Sequence, residues 1–314
     1  MYKGSVQLLC LALVLTLTGS AFADVIAPER IYEGGTGSNE PSYLINSNES
    51  QSVNIPPDAW PVQYPGLRKQ AFDIGPEIYH FEYKEPGFMK EEGVFYGVRF
   101  GYTDRSWVPT SSQASPADGG MMLRAEGRLA YGQVDYDGQT IGGTPYTIDG
   151  IDDLTLEGRF LLGGDWLSSD VLNTLYAGIG YRYLLDMAST DPAGYDRESN
   201  YLYVPAGFQF NSSCEDGWSF GFNAEFDVFI VGVQRSHLSD IGLIDVDNRQ
   251  DSGYGYRASF RLQHNSKDTI FIIEPFYRYW DIDRSEIENV IFLGPVVEPA
   301  NETEEVGISI LWMF

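Results

Sequence analysis

Chemistry in this chain rests on few side chains. A histidine becomes a general base when a carboxylate orients its ring and a proton lies within reach. His237 precedes Asp240 by three residues, and Asp135-Tyr136-Asp137 places two carboxylates one residue apart. Asp135, Asp137, His237 and Asp240 are therefore the candidate catalytic set, suited to activating water for hydrolysis. His80 and His264 are too scattered to join His237 in a metal cluster. Serine-elbow, phosphate-loop and dinucleotide-binding glycine signatures do not occur.

More of the charge falls at alternate positions. Arg99, Arg124, Arg128, Arg159, Arg182, Arg257, Arg261 and Arg278 recur with Glu126, Glu157, Glu225, Asp227 and Glu274. A guanidinium fork meets a carboxylate through two parallel hydrogen bonds, so this set reads as a paired network. Counted from these positions it holds eight arginines against five carboxylates. That excess would favour anions if the charges lined a pore.

The elements that must carry these charges have a period of two. Val306, Ile308, Ile310, Trp312 and Phe314 share one face, while Glu305, Gly307, Ser309, Leu311 and Met313 share the other. Successive side chains of a strand point to opposite faces. The same alternation runs through residues 94–102, 123–131, 154–162, 175–183, 202–208, 220–228, 254–262 and 271–279. A tenth run, residues 73–83, has strand composition but an ambiguous register. In each clear run the bulky apolar residues lie on one face, and the Arg/Glu set lies on the other among Gly and Ser. The predicted strands are about 10 to 14 residues long, enough to cross a bilayer at a tilt. Alternation of this kind also suits a soluble sandwich.

Composition removes other classes. The chain has 314 residues, 45 acidic and 20 basic side chains, and a net charge of −25. Aromatics make up 14% of it, far from a disordered acidic chain. The charge excludes a nucleic-acid partner, which needs a basic face. Two cysteines, Cys10 and Cys214, do not make a disulfide scaffold. Residues 1–23 read as a signal peptide: Lys3, a short apolar run from Leu8 to Leu17, and Ala21-Phe22-Ala23 before the cut. Residues 24–71 read as a flexible periplasmic N-terminal arm, rich in Gly, Pro, Ser and Asn, and residues 72–314 as the strand domain.

The ending Val306-Gly-Ile-Ser-Ile-Leu-Trp-Met-Phe314 resembles the C-terminal assembly signal of bacterial outer-membrane β-barrels. Val306, Ile308, Ile310, Trp312 and Phe314 carry that resemblance. With the signal peptide, it favours a barrel over a sandwich. It implies an all-β fold: a porin-like transmembrane antiparallel up-and-down β-barrel of about ten strands, with eight or twelve as alternatives. It also implies a Gram-negative outer membrane as the location. The expected partners are outer-membrane lipid and lipopolysaccharide and, transiently, the β-barrel assembly machinery. Ten strands with an acidic rim are similar to the omptin proteases. Those carry an Asp pair after the third strand and an Asp-His pair after the seventh, where this chain has Asp135, Asp137, His237 and Asp240. The order is reversed here, His237-Leu-Ser-Asp240.

Long connections are expected at residues 133–153, 186–200, 234–252 and 281–303, and they hold most of the acid. They are expected to be solvated, self-repelling loops, with divalent-cation binding as an alternative and no cofactor otherwise. The connection 103–119 is too long for the short-turn side. The expected role is non-enzymatic: structural, adhesive or surface interaction through acidic extracellular loops. A narrow anion-favouring pore and an omptin-like rim protease are the alternatives.

Overall fold

The computed structural model describes residues 67–106, 119–140, 142–168, 171–213, 217–266, 269–290 and 294–314. The signal peptide, most of the arm, Cys10 and Cys214 lie outside the described residues.

The strands are β1 (Gln70–Glu85), β2 (Met89–Arg105), β3 (Gly119–Gln139), β4 (Pro145–Ser168), β5 (Val171–Met187), β6 (Arg197–Ser213), β7 (Trp218–Ser236), β8 (Val246–Gln250), β9 (Gly253–Asn265), β10 (Ile270–Ile282), β11 (Glu288–Val290), β12 (Gly294–Val296) and β13 (Asn301–Met313). Ten of them pair antiparallel in chain order, β1 to β7, then β9, β10 and β13. β13 returns to β1, and β6 pairs with β7, so the sheet closes on itself. A closed sheet leaves no unpaired edge. β8 lies along the end of β7, and β11 and β12 form a separate hairpin. At the closing seam, the Phe314 amide donates to the Phe72 carbonyl at 2.9 Å and the Phe72 amide donates back at 3.2 Å.

Side-chain alternation decides what each face meets. Tyr96, Phe260, Phe160 and Ile179 point outward and are 64%, 62%, 52% and 52% exposed. Val306, Ile308, Trp312 and Phe314 point outward as well. The outward band runs around all ten strands, with Trp166, Trp218 and Trp312 toward one end and Tyr131, Tyr181 and Tyr256 toward the other. The first of these, the near end, is where β1 begins and β13 finishes. At the far end the band stops at outward-facing Glu92, Gln133 and Asp152.

Register in β1, open in the sequence, is fixed by its two neighbours. Asp73 sits between Gly101 and Met313, and Glu77 between Gly97 and Ser309. Asp73, Glu77, Tyr79, Phe81 and Tyr83 therefore point inward and are buried. The first two strands stand where they were expected. The long connection between them and β3 falls mostly on residues 107–118, outside the described residues.

Two expectations need correction. Residues 133–153 are largely not a loop: β3 extends for 21 residues and β4 for 24, as a hairpin rising beyond the band. The cause is a continued apolar face, since Val134 and Ile151 are buried and Tyr136 and Ile148 pack on their cluster. β1 to β7, at 16 to 24 residues, also exceed the predicted length, whereas β9, β10 and β13, at 13 residues each, keep to it. β1 starts at Gln70, inside the stretch read as the arm.

Candidate functional site

The interior divides into three levels. At the near end lies a cavity open to solvent. Arg99, Arg105, Arg124, Arg159 and Arg261 line it, with Glu126 and Glu274 between them. Its floor is a layer of buried ion pairs at mid-height. Beyond that layer, two aromatic clusters fill the far half.

The mid-height layer is built by strands from opposite walls. Arg128 on β3 donates to Glu77 on β1 at 3.1 Å and to Glu305 on β13 at 2.8 Å. Arg278 on β10 donates to the same two carboxylates, at 3.2 and 3.0 Å. Arg182 on β5 reaches Glu305 at 3.3 Å. Arg257 on β9 donates to Asp227 at 2.7 Å and to Glu157 on β4 at 3.0 Å. Toward the near end, Arg99 donates to Glu274 at 2.7 Å, and Arg261 donates to the other oxygen of Glu274 at 2.9 Å. Arg124 pairs with Asp73 at 2.9 Å and with Glu126 at 2.6 Å. Arg159 pairs with Glu126 and Glu225.

All thirteen charges singled out in the sequence are thus in one connected network. It also contains three carboxylates that sequence reasoning missed: Asp73, Glu77 and Glu305. Glu305 could have been found, since it alternates with Val306 and so faces inward. Asp73 and Glu77 could not, because Gly75 and Pro76 blur the register of β1. With them the network holds eight arginines and eight carboxylates. The arginine excess expected to favour anions is cancelled, and the ground for an anion-favouring lumen goes with it.

The far half is packed with aromatic side chains. Tyr79, Phe81, Tyr83 and Phe95 form one cluster with Phe276 and Leu184. Tyr201, Tyr203, Phe229, Trp280 and Ile282 form a second. Guanidinium groups cap these rings, with Arg128 5.0 Å from the Tyr79 centroid and Arg257 5.4 Å from that of Tyr203. Such contacts add attraction where water is excluded.

The candidate catalytic set does not assemble. Asp135 and Asp137 lie on the exposed face of the β3–β4 hairpin, and Asp135 accepts the Gly150 amide at 2.9 Å. His237 follows β7, and its Nε2 is 2.7 Å from Glu198, not Asp240. Asp240 instead accepts the amide of Asp196 at 3.0 Å. The physical reason is strand direction: the Asp pair alternates outward, away from the lumen mouth. No side-chain hydrogen bond or ion pair joins these four residues to one another.

The other loop acids are spread out. Asp247 and Asp251 pair with Arg235 and Arg249, Asp191 accepts from Tyr146, and Asp245 accepts the Ser239 amide. Among the described residues, one group of three, His80, Glu82 and Glu92, brings its ligand atoms within 4.8 Å of one another. Lys90 already holds Glu82 at 2.8 Å and Glu92 at 2.7 Å, and Lys84 also pairs with Glu82, so two lysines face the two carboxylates.

No family model matches the chain, and no curated protein matches it. Similar solved structures include the Neisserial surface protein A, at 9% identity and a TM-score of 0.32, covering 77% of this chain and 97% of that one. The Pseudomonas putida toluene transporter TodX is 8% identical with a TM-score of 0.34, covering 80% of this chain and 90% of that one. The transport unit of the Escherichia coli autotransporter AIDA-I is 13% identical with a TM-score of 0.35, covering 77% and 90%. These scores fall below one half, and the barrel rests on its own strand pairing. Ten antiparallel strands closed in chain order, an apolar outer band and aromatic residues at both margins are together the architecture of outer-membrane β-barrels.

Proposed function

We propose that the chain is an integral outer-membrane β-barrel of a Gram-negative bacterium, exported by a cleaved signal peptide, with a sealed lumen. Its working surface is the far-end rim of acidic hairpins, facing the outside of the cell in a structural, adhesive or surface-interaction role. Its partners are outer-membrane lipid and lipopolysaccharide, and the β-barrel assembly machinery during insertion.

One observation carries the reading: a belt of outward-facing Phe, Leu, Ile, Val and Tyr, exposed on eight of the ten strands and half-buried on β6 and β10, encircles the closed sheet. Soluble monomers rarely expose a contiguous apolar patch larger than a few hundred Å². In lipid the same belt is solvated, and closure gives each of the ten strands a partner on both sides. The paired lumen fits the same account, because buried charges require partners. The role in surface contact is supported by the hairpins, which rise beyond the belt and place Asp135, Asp137 and Asp149 outward.

The test is fractionation of expressing cells. The folded protein is expected in the outer-membrane fraction, migrating faster on gels before boiling than after. Protease added to intact cells is expected to cut the far-end hairpins. Recovery as a soluble periplasmic protein would overturn the reading.

A further inference from the structure

The far-end plug contains a charge problem that the mid-height network does not. Arg197 on β6 is its cation. Its guanidinium donates to Glu85 on β1 at 2.9 Å, to Glu91 on β2 at 2.7 Å and to Asp186 on β5 at 2.8 Å. Two more carboxyl groups come close. Asp153 on β4 lies directly across from Asp186 in the strand pairing, and Glu298, from the segment before β13, folds in beside Glu85. All five carboxyl groups are buried, and one guanidinium cannot neutralise them.

Two observations show where the imbalance is met. Asp153 is fully buried, and neither of its carboxylate oxygens has a hydrogen-bond partner. Glu91 and Asp186 converge on the Arg197 guanidinium, and the second oxygen of Asp186 is buried without a hydrogen-bond partner. Carboxyl groups buried in excess of their cation are accommodated when one of them keeps its proton. We propose that this layer is a proton-operated latch: a proton held on the pair of Glu91 and Asp186, beside Asp153, keeps the far-end plug packed, and its release to water loosens it.

Other groups facing the layer do not supply the missing charge. Tyr83 of β1 donates to Glu85 at 3.2 Å, and its ring lies under Arg197. Tyr136 of β3 pairs across from Glu91, and its hydroxyl is spent on the Gln139 carbonyl. Asp152 of β4 and Asp196 before β6 add repulsion, and Tyr195 is neutral. The layer sits at the level of outward-facing Glu92 and Asp152, beyond the apolar belt. Burial, with the repulsion of Asp186 and Glu85 and against the pull of Arg197, pushes the Glu91 carboxyl up to about 8. Burial and Glu85 push Glu298 up to about 8, and burial raises Asp153 and Asp186.

The sign follows from linkage. A carboxyl whose folded value lies above its ordinary 4.5 contributes fully at acid pH, and its contribution is lost as the pH rises toward about 8. Within that window, releasing one proton raises the loosened population about tenfold per pH unit. The latch does not depend on where the barrel resides, so it can be tested on the full chain folded in detergent.

Hydrogen exchange of residues 89–95, 151–155 and 184–187 is the measurement, corrected for intrinsic rates. Between pH 6 and pH 8 these amides are expected to open about a hundredfold more often, while residues 123–129 at the near end stay unchanged. Glu91→Gln, which needs no proton, is expected to remove the difference. Equal corrected exchange at both pH values, or a Glu91→Gln variant that responds like the natural chain, overturns the latch. Infrared spectra of the unsubstituted protein give a reading independent of the variant. A protonated-carboxyl band is expected at pH 6 and weaker at pH 9, and its absence at pH 6 overturns the proposal. Loss of protection at pH 6 on adding a chelator also overturns it, since a bound cation would then balance the charge.

Discussion

At the residue scale, the interior is held by sharing rather than by isolated pairs. Glu305 accepts from Arg128, Arg182 and Arg278, so it joins three walls of the barrel. Removing its charge leaves three buried guanidinium groups short of a partner. Breaking a buried pair on one side costs about 3–5 kcal/mol, so Glu305→Gln is expected to lower the free energy of unfolding in urea by an amount in that range. A loss below about 1 kcal/mol, typical of an exposed pair, would contradict the burial of this layer. The arginines and most of their partners were legible in the sequence, because alternation alone places them on one face. Asp73 and Glu77 were not, since a register broken by Gly75 and Pro76 is settled only by hydrogen bonds to β2 and β13. The rim acids misled for a related reason. Asp135 and His237 carry the right chemistry, but one-residue alternation turns the carboxylates of residues 135 and 137 outward.

At the element scale, strand pairing makes room for the aromatic plug. Gly180 on β5 faces Tyr203 on β6, and a Cβ at that glycine would lie 2.1 Å from the ring carbon Cζ. The ring cannot simply move, because Tyr203 bonds Glu157 and packs edge-on against Trp280, 4.9 Å between centroids. Overpacking of this kind costs about 1–3 kcal/mol. Gly180→Ala is expected to lower the unfolding midpoint accordingly and to perturb Trp280 fluorescence. An unchanged midpoint and spectrum would mean that the ring is free to shift. The ten strands themselves were readable, since their period of two survives every turn. The upper part of the β3–β4 hairpin was not. Its outward residues, Asp135, Asp137, Asp149 and Gly150, have loop composition, and only the buried Val134 and Ile151 reveal the strand.

At the scale of the whole molecule, the charge has a layout. The net charge of −25 does not fill the lumen, where eight arginines meet eight carboxylates from mid-height to the near end; the surplus acid lies mainly at the far end. The belt between the two ends is apolar, which brings the mean hydropathy only to −0.22, because every second strand residue faces inward. Along the axis, the near-end cavity stops at Arg128, Glu157, Arg257 and Arg278, and aromatic side chains occupy the interior beyond. A lumen of about this strand number is small enough for side chains to fill. The central claim is therefore a membrane-spanning barrel that does not conduct. Planar-bilayer recording at pH 6 tests it most directly, using full-length protein first shown to float with liposomes. The account predicts a baseline without steady conductance; a stable ohmic conductance from the inserted protein would contradict it.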